Sequence, residues 1–364
     1  MTRVLILTAS VGEGHDRPAQ TLEAQIHAER PDADVVVADC LEVMGRPVRW
    51  VSSGAAEVVF YRFEWVWDLG FWVFAGNALT RPASQRLITR LGGPGLLRLV
   101  ERVDPDVIVS VYPNATEVLG RLRRRGRLRI PVVAAITDLA AMHYWACAGV
   151  DVHLVTHPES IAEVRGIVGP DAAVECVHGF TLPAFLAPRQ QMDARRALAL
   201  PEAGKVVLVS GGGWGVGDVE GAVGEALAIP EVAQVVCLCG RNDDLRARLQ
   251  SHFAGEPRVR VEGFTEEMPD WLAAADALVH STGGLTVLEA TMRGCPAISY
   301  GWGRGHVRVN NRAFKQFGLA DVVADKRQLR ASLERALANG RTPVTAFDRL
   351  PSAASFVLGT ADAA

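Results

Sequence analysis

Lys205-Val-Val-Leu-Val-Ser210-Gly-Gly-Gly213 decides how this chain is read. A short, unbroken apolar run that ends in glycines marks a strand buried on both faces, turning sharply at its carboxyl end. The same pattern recurs along the chain at Val4–Leu7, Val35–Ala38, Val107–Val111, Val132–Ile136 and Val152–Thr156. It continues at Val235–Cys239, Val259–Val261, Ala277–His280 and Ala297–Tyr300. Helix-length amphipathic segments separate these runs, which predicts parallel sheets covered on both faces. Ten such strands exceed one comfortable open sheet, and 364 residues exceed one ordinary core. The expectation is an α/β protein of two parallel-sheet domains, residues 1–190 and 200–344, divided where Pro183–Pro201 breaks the periodicity. A C-terminal helix, Thr345–Leu358, and a frayed small-residue tail complete the chain over 345–364.

Composition narrows the function classes. At 49% hydrophobic and 22% charged residues the chain has ample material for packed cores, which excludes a disordered or fibrous protein. A net charge of −3 carries no basic excess, so no nucleic-acid partner is expected. Lys occurs only at Lys205, Lys315 and Lys326 among 38 basic residues, a bias of composition that we do not read as function. Six scattered cysteines show no metal-ligand or disulfide spacing. The N-terminal run enters a strand directly, without a signal-peptide core, and no stretch is long and apolar enough to cross a bilayer. A cytoplasmic protein is expected.

Two segments break the alternation. Trp50–Phe74 holds nine aromatics, Trp50, Phe60, Tyr61, Phe63, Trp65, Trp67, Phe71, Trp72 and Phe74, interrupted by Arg62, Glu64 and Asp68. It reads either as a helical pair packed on its domain or as an interfacial, lipid-facing surface. Arg121–Arg129 places six arginines in nine residues. It reads either as a helix end whose charge suits the dipole or as a contact for anionic lipid.

The chemistry-bearing segments lie at strand ends. Thr8-Ala-Ser10-Val-Gly12-Glu-Gly14-His15 joins the first strand to a helix expected from Asp16 or Pro18. Its spacing is not that of a dinucleotide loop, and Asp39, at the end of the second strand, is no clear ribose ligand. His15 suits general-base work, since imidazole titrates near neutrality; a structural histidine is the alternative. Downstream, Ser210–Gly217, with Gly211, Gly212 and Trp214, reads as a flexible amide-rich loop. Cys239-Gly240-Arg241-Asn242 and Glu262-Gly-Phe264…Met268 end two further runs. Val279-His-Ser281-Thr-Gly283-Gly284-Leu285-Thr286-Val-Leu-Glu289 reads as strand, diglycine turn and helix. Its first-turn amides suit a diphosphate, and Glu289 lies one turn on from Thr286.

These segments resemble the GT-B glycosyltransferases over nearly the whole chain. Within them they are most similar to the monogalactosyldiacylglycerol synthase and processive diacylglycerol glucosyltransferase group, related to the peptidoglycan GlcNAc transferase that acts on lipid I. Ser10-x-Gly12-x-Gly14-His15-x-x-x-Ala19 resembles the family's acceptor loop with its catalytic base. Thr137-Asp138…His143-x-Trp145, followed by Val150-Asp151, resembles its acceptor-side segment. Gly263-Phe264 and Gly283-Gly284-Leu285-Thr286…Glu289 resemble segments that hold uracil, diphosphate and ribose. Gly303–Asn310 departs from the family's Gly-Gln-Glu…Asn, and Gly305, His306 and Asn310 fall on a Gly-His variant of that stretch. Arg304 and Arg308 there are alternative diphosphate contacts.

The resemblance implies two Rossmann-like domains facing across a cleft and inverting transfer of a hexose from UDP-galactose or UDP-glucose to diacylglycerol. His15 would be the base and Asp138 its helper. Gly12, Gly14, His143 and Trp145 would meet the acceptor. Gly211, Gly212, Trp214, Gly240, Asn242, Phe264, Met268, Ser281, Gly283, Gly284, Leu285, Thr286, Glu289, Gly305, His306 and Asn310 would meet the donor. No Asp-x-Asp motif stands where it could hold a metal against a diphosphate, so neither metal nor cofactor is expected beyond the UDP-sugar co-substrate. The expected place of work is an anionic membrane, on the inner face of the plasma membrane. A soluble acceptor, epimerisation and a non-catalytic UDP-sugar-binding regulator are the alternatives.

Overall fold

The apolar runs form two six-stranded, wholly parallel sheets in a computed structural model that describes residues 1–10, 13–49, 64–301, 303–342 and 347–363. The sheets belong to two units, residues 1–181 with 349–364 and residues 182–348.

The first unit runs β1 (Arg3–Thr8), α1 (Glu13–Glu29), β2 (Asp34–Asp39), α2 (Cys40–Met44), α3 (Arg46–Arg49), α4 (Glu64–Phe71), α5 (Arg81–Val103), β3 (Val107–Ser110), α6 (Pro113–Arg124), β4 (Val132–Ala135), β5 (Val152–Val155), α7 (Glu159–Val168) and β6 (Val174–Cys176). Its strand order is β2-β1-β3-β4-β5-β6. Successive residues of β1 face opposite ways, as the pleat requires. Val4 and Ile6 join Leu22 and Ile26 of α1 in one core, while Leu5 and Leu7 join Leu96, Val118 and Leu122 in another. This two-sided burial explains why the strands read as unbroken apolar runs.

The second unit holds α8 (Gln191–Ala197), β7 (Lys205–Ser210), α9 (Val219–Leu227), β8 (Val232–Leu238), α10 (Asp243–His252), β9 (Val259–Glu262), α11 (Met268–Ala274), β10 (Ala277–His280), α12 (Gly284–Met292), β11 (Ala297–Ser299), α13 (Gly305–Gln316), β12 (Ala320–Val322) and α14 (Lys326–Asn339). Its order, β12-β11-β10-β7-β8-β9, is that of a doubly wound sheet.

Three boundaries differ from the sequence reading. The division falls between Thr181 and Leu182, because the irregular segment beyond it packs on the second sheet. Arg189 grips Asp270 at 2.7 and 3.1 Å, and the buried Arg195 meets Asp276 at 2.5 Å. The terminal helix, α15, is Ala353–Asp362 and belongs to the first unit. It starts late because Pro351 precedes a Ser352 cap, whose hydroxyl accepts from the Ala354 amide at 3.1 Å. Its end is tied rather than frayed, since Arg30 grips Asp362 at 2.8 and 2.7 Å. Finally, α1 begins at Glu13, which places His15 in its first turn and Pro18 inside it.

Candidate active site

In the first unit the topology itself creates a crevice. β1 feeds α1 onto one face of the sheet, and the neighbouring β3 feeds α6 onto the other. Ligands bind where the connections diverge, outside the carboxyl ends of the strands. His15 stands there. Its Nδ1 lies 2.9 Å from the Val111 carbonyl at the end of β3. A carbonyl only accepts, so Nδ1 carries the proton and the Nε2 lone pair is the basic one in neutral imidazole. Tyr112 packs edge-on to the ring at 5.0 Å between centroids, and Trp145 lies at 5.8 Å.

Trp145 comes from the loop that follows β4 and is 2% exposed. Its indole N–H donates to Asp138 Oδ2 at 2.7 Å. Asp138 therefore orients the tryptophan that packs on His15. The intervening Tyr144 is buried and has a φ of 79°, a left-handed conformation that costs a bulky residue about 1–2 kcal/mol. Its hydroxyl lies 2.6 Å from Ser84 Oγ. Burial, then the Arg81 guanidinium, lowers the pKa of His143, with Glu117 pulling the other way. Gly14 is exposed in the first turn of α1, while Gly12 lies outside the described residues. Asp39 accepts from the Leu41 amide at 2.8 Å, capping α2, and from the Ser10 amide at 3.3 Å.

The second unit repeats the logic. The carboxyl ends of β7 and β10 are adjacent, and the loops beyond them interlock. Rather than being flexible, Ser210–Gly217 is a pinned turn: Val216 N–H donates to Gly211 O at 2.9 Å, and Gly212 N–H to Ser210 Oγ at 3.2 Å. Arg241 N–H donates to Gly213 O at 2.8 Å, and Asn242 Nδ2 to Trp214 O at 3.1 Å. Asn242 also caps α10 through the Leu245 amide at 2.9 Å. Gly240 has a φ of 60°, and a Cβ there would sit 2.3 Å from Gly212 O, so this crossing excludes any side chain. Ser281 Oγ donates to Val216 O at 2.5 Å. Phe264 is 37% exposed, with the Arg241 guanidinium carbon 3.9 Å above its ring. Met268 opens α11 and is half-buried.

A helix start without a side-chain cap keeps its first amides open to an anion. Asp218, Asn242 and Asp325 cap α9, α10 and α14 with their side chains. Gly283 gives α12 no side-chain cap, which leaves the amides of Gly284, Leu285 and Thr286 without that competitor. Thr286 and Glu289 are both partly exposed, one turn apart. Arg304 likewise gives α13 no side-chain cap, and Gly305 and His306 occupy its first turn. Asn310 is wholly buried, donating to the His306 carbonyl at 3.2 Å.

Two Asp-x-Asp sequences do occur, Asp32–Asp34 and Asp104–Asp106, but they lie at the amino ends of β2 and β3, away from the carboxyl ends where His15 stands. Asp34 pairs with Arg3 at 2.6 Å, and Asp106 accepts from the Arg3 amide at 2.7 Å. Among the described residues no His, Cys, Asp or Glu cluster is arranged to hold a metal, and no helix is long and apolar enough to cross a membrane.

The arginine run divides. Arg121 pairs with Glu117 and donates to Gln85 at 2.8 Å, and Arg123 pairs with Asp151, whereas Arg124, Arg125, Arg127 and Arg129 are exposed. Sequence reasoning missed α5. Its outward face reads Arg86, Leu87, Arg90, Leu91, Pro94, Arg98, and the two leucines are exposed. The signal was an i, i+4 pair of leucines flanked by arginines. In the aromatic segment, Trp50–Phe63 lies outside the described residues, and Trp65, Leu69, Trp72, Phe74 and the following Leu79 are exposed.

Comparison with known proteins places this geometry. The family model for monogalactosyldiacylglycerol (MGDG) synthase matches residues 15–173, and that for the glycosyltransferase family 28 C-terminal domain matches residues 206–359. Monogalactosyldiacylglycerol synthase 1, chloroplastic, of Arabidopsis thaliana is 28% identical over 315 residues. The match covers 82% of this chain but only 58% of the plant protein's length. Processive diacylglycerol beta-glucosyltransferase of Bacillus licheniformis is 26% identical over 345 residues, 92% of this chain and 87% of that one. The crystal structure of Acinetobacter baumannii MurG superposes with a TM-score of 0.61 at 16% identity, covering 100% of both chains. Arabidopsis thaliana UGT89C1 complexed with UDP gives a TM-score of 0.55 at 13% identity, covering 92% of this chain and 91% of that one. Two parallel-sheet units of this topology, matched in turn by an MGDG synthase model and a family 28 C-terminal model, give the chain the GT-B fold.

Proposed function

We propose that the chain transfers a hexose from a UDP-sugar to the hydroxyl of diacylglycerol, with inversion at the anomeric carbon. The observation that carries this reading is His15, whose Nδ1–H is fixed on Val111 O so that Nε2 is the basic nitrogen, in the crevice at the sheet's switch point. Nε2 takes the acceptor hydroxyl's proton while the oxygen attacks the anomeric carbon from the face opposite the diphosphate. As the bond to the diphosphate breaks, charge develops on the leaving phosphate oxygen. The amides of Gly284, Leu285 and Thr286, with the dipole of α12, meet that charge in place of a divalent cation. Phe264 offers an exposed ring for the base, and Glu289 a carboxylate for the ribose hydroxyls.

The names of the relatives support the lipid acceptor. So does the surface formed by the outer face of α5 with Trp65, Leu69, Trp72, Phe74 and Leu79, where arginine and large apolar side chains combine as at a membrane interface. In this reading the protein works peripherally on the anionic, cytoplasmic face of a membrane.

The test incubates the protein with UDP-glucose or UDP-galactose and vesicles containing diacylglycerol, and analyses the lipid by mass spectrometry. A mass gain of one hexose, with UDP release that depends on the lipid, is expected. Release that needs only soluble acceptors, or none at all, overturns the reading. His15→Ala should lower kcat about 10²–10⁴-fold, and near-normal turnover would remove His15 from the role of base.

A further inference from the structure

One small linkage in the first unit is left unused by the reaction above. Tyr144 adopts a φ of 79° with its phenol buried. Its hydroxyl lies 2.6 Å from Ser84 Oγ in the first turn of α5. Ser84 Oγ also faces the carbonyls of Phe74 at 2.7 Å and Arg81 at 2.8 Å. Both carbonyls only accept, so the serine's single hydrogen goes to one of them, and the tyrosine hydroxyl is the donor in the pair. The next residue, Trp145, packs on His15 at 5.8 Å and donates to Asp138 at 2.7 Å. Phe74 belongs to the exposed apolar segment, and its carbonyl is the serine's partner.

We propose that Tyr144 is a positioning residue: anchored on Ser84, it holds Trp145 against His15 and so ties the reacting imidazole to the exposed segment around Phe74. The left-handed backbone at Tyr144 supplies the physical reason. A tyrosine keeps that conformation only where its surroundings over-determine it. Here the buried phenol on Ser84 supplies part of that constraint, together with the bridges that pair His143 with Ala146 and Ala148 with Val150. Without the hydroxyl the backbone can relax toward an ordinary φ, which swings the peptide that carries the Trp145 ring. The inference rests on the reading of His15 as the base for its catalytic consequence, but the geometric link stands apart from it.

The test uses Tyr144→Phe, Ser84→Ala and the double variant in the full chain. Ring-proton NMR signals of His15, identified by their disappearance in His15→Ala, report the Trp145 ring current whatever the enzyme's substrate. Both single variants should shift those signals. They should lower kcat about 10–100-fold while leaving the KM for the UDP-sugar within about twofold. The double variant should lose no more than the worse single one, because the two residues share one bond. His15 signals unmoved by either variant, or losses that multiply in the double variant, overturn the proposal. Shifted signals alongside a fully active His15→Ala would instead leave the link standing and remove the catalytic reading.

Discussion

At the scale of single residues, two histidines are kept neutral by the fold. His280, at the end of β10, accepts the Thr282 amide at 3.2 Å on Nδ1, while its buried Nε2 has no partner. Burial lowers its pKa to about 3. His153, in β5, accepts the Cys147 amide at 3.3 Å, and burial lowers its pKa to about 4. The folded state thus refuses protons that the unfolded chain accepts near pH 6.5. Stability is full above that pH and falls as pH drops through it, by about 1.4 kcal/mol per unit for each histidine. Urea unfolding at about pH 7.5 and pH 5.5 should differ by about 3 kcal/mol from this pair. His280→Asn, which keeps an acceptor for Thr282, should remove about half of that difference; an unchanged slope in the variant would refute the assignment. His15 was legible in the sequence because a histidine followed glycines at a strand end. Trp145 and Asp138 were named beside it through the family resemblance, but its other neighbours were not. Val111, Tyr112, Ser84 and Tyr144 meet it, directly or through Trp145, because of where β3 and α5 run, and no local pattern encodes that meeting.

At the scale of elements, the strands that read correctly are those buried on both faces, since burial is what leaves an unbroken apolar run. β6 (Val174–Cys176) and β12 (Ala320–Val322) escaped the reading because three-residue edge strands, with only one strand neighbour, need no such run. The attachment of α8 was equally illegible, because a charged pair holds it. Arg195 and Asp276 are nearly buried and lie 2.5 Å apart. Asp276 also accepts the Val206 amide at 2.7 Å, and Arg195 donates to the carbonyls of Ala274, Pro201, Glu202 and Gly204. Removing one partner leaves the other charge buried and uncompensated, which typically costs about 3–5 kcal/mol. Asp276→Asn should therefore lower the unfolding free energy measured in urea by that amount. Adding Arg195→Met should cost less than the sum of the two single changes, because they share one pair. Strictly additive losses would show that the pair is not the fastener.

At the scale of the whole molecule, the distribution of charge matters more than its sum. The net charge is only −3, yet α5 carries Arg81, Arg86, Arg90, Arg98 and Arg102 against the single acid Glu101. Arg121 of α6 bonds Gln85 of α5, and beyond it Arg124, Arg125, Arg127 and Arg129 are exposed. Exposed leucines and tryptophans among those arginines suit a surface that is apolar below and anionic above. Each arginine near an anionic bilayer contributes about 1 kcal/mol. Arg86→Gln with Arg90→Gln should then weaken binding to anionic vesicles about 30-fold in a sedimentation assay at low salt, and raised salt should weaken the native protein likewise. Neutral vesicles should bind both proteins weakly. Leu87→Asp with Leu91→Asp should abolish binding even at low salt, because it removes the apolar part as well as adding like charge. If the α5 variants sediment as the native protein does while neutralising Arg124, Arg125, Arg127 and Arg129 releases it, the membrane face is the turn after α6. Loss of binding in the α5 variants with the turn intact places it on α5, next to the Ser84–Tyr144 link that reaches His15.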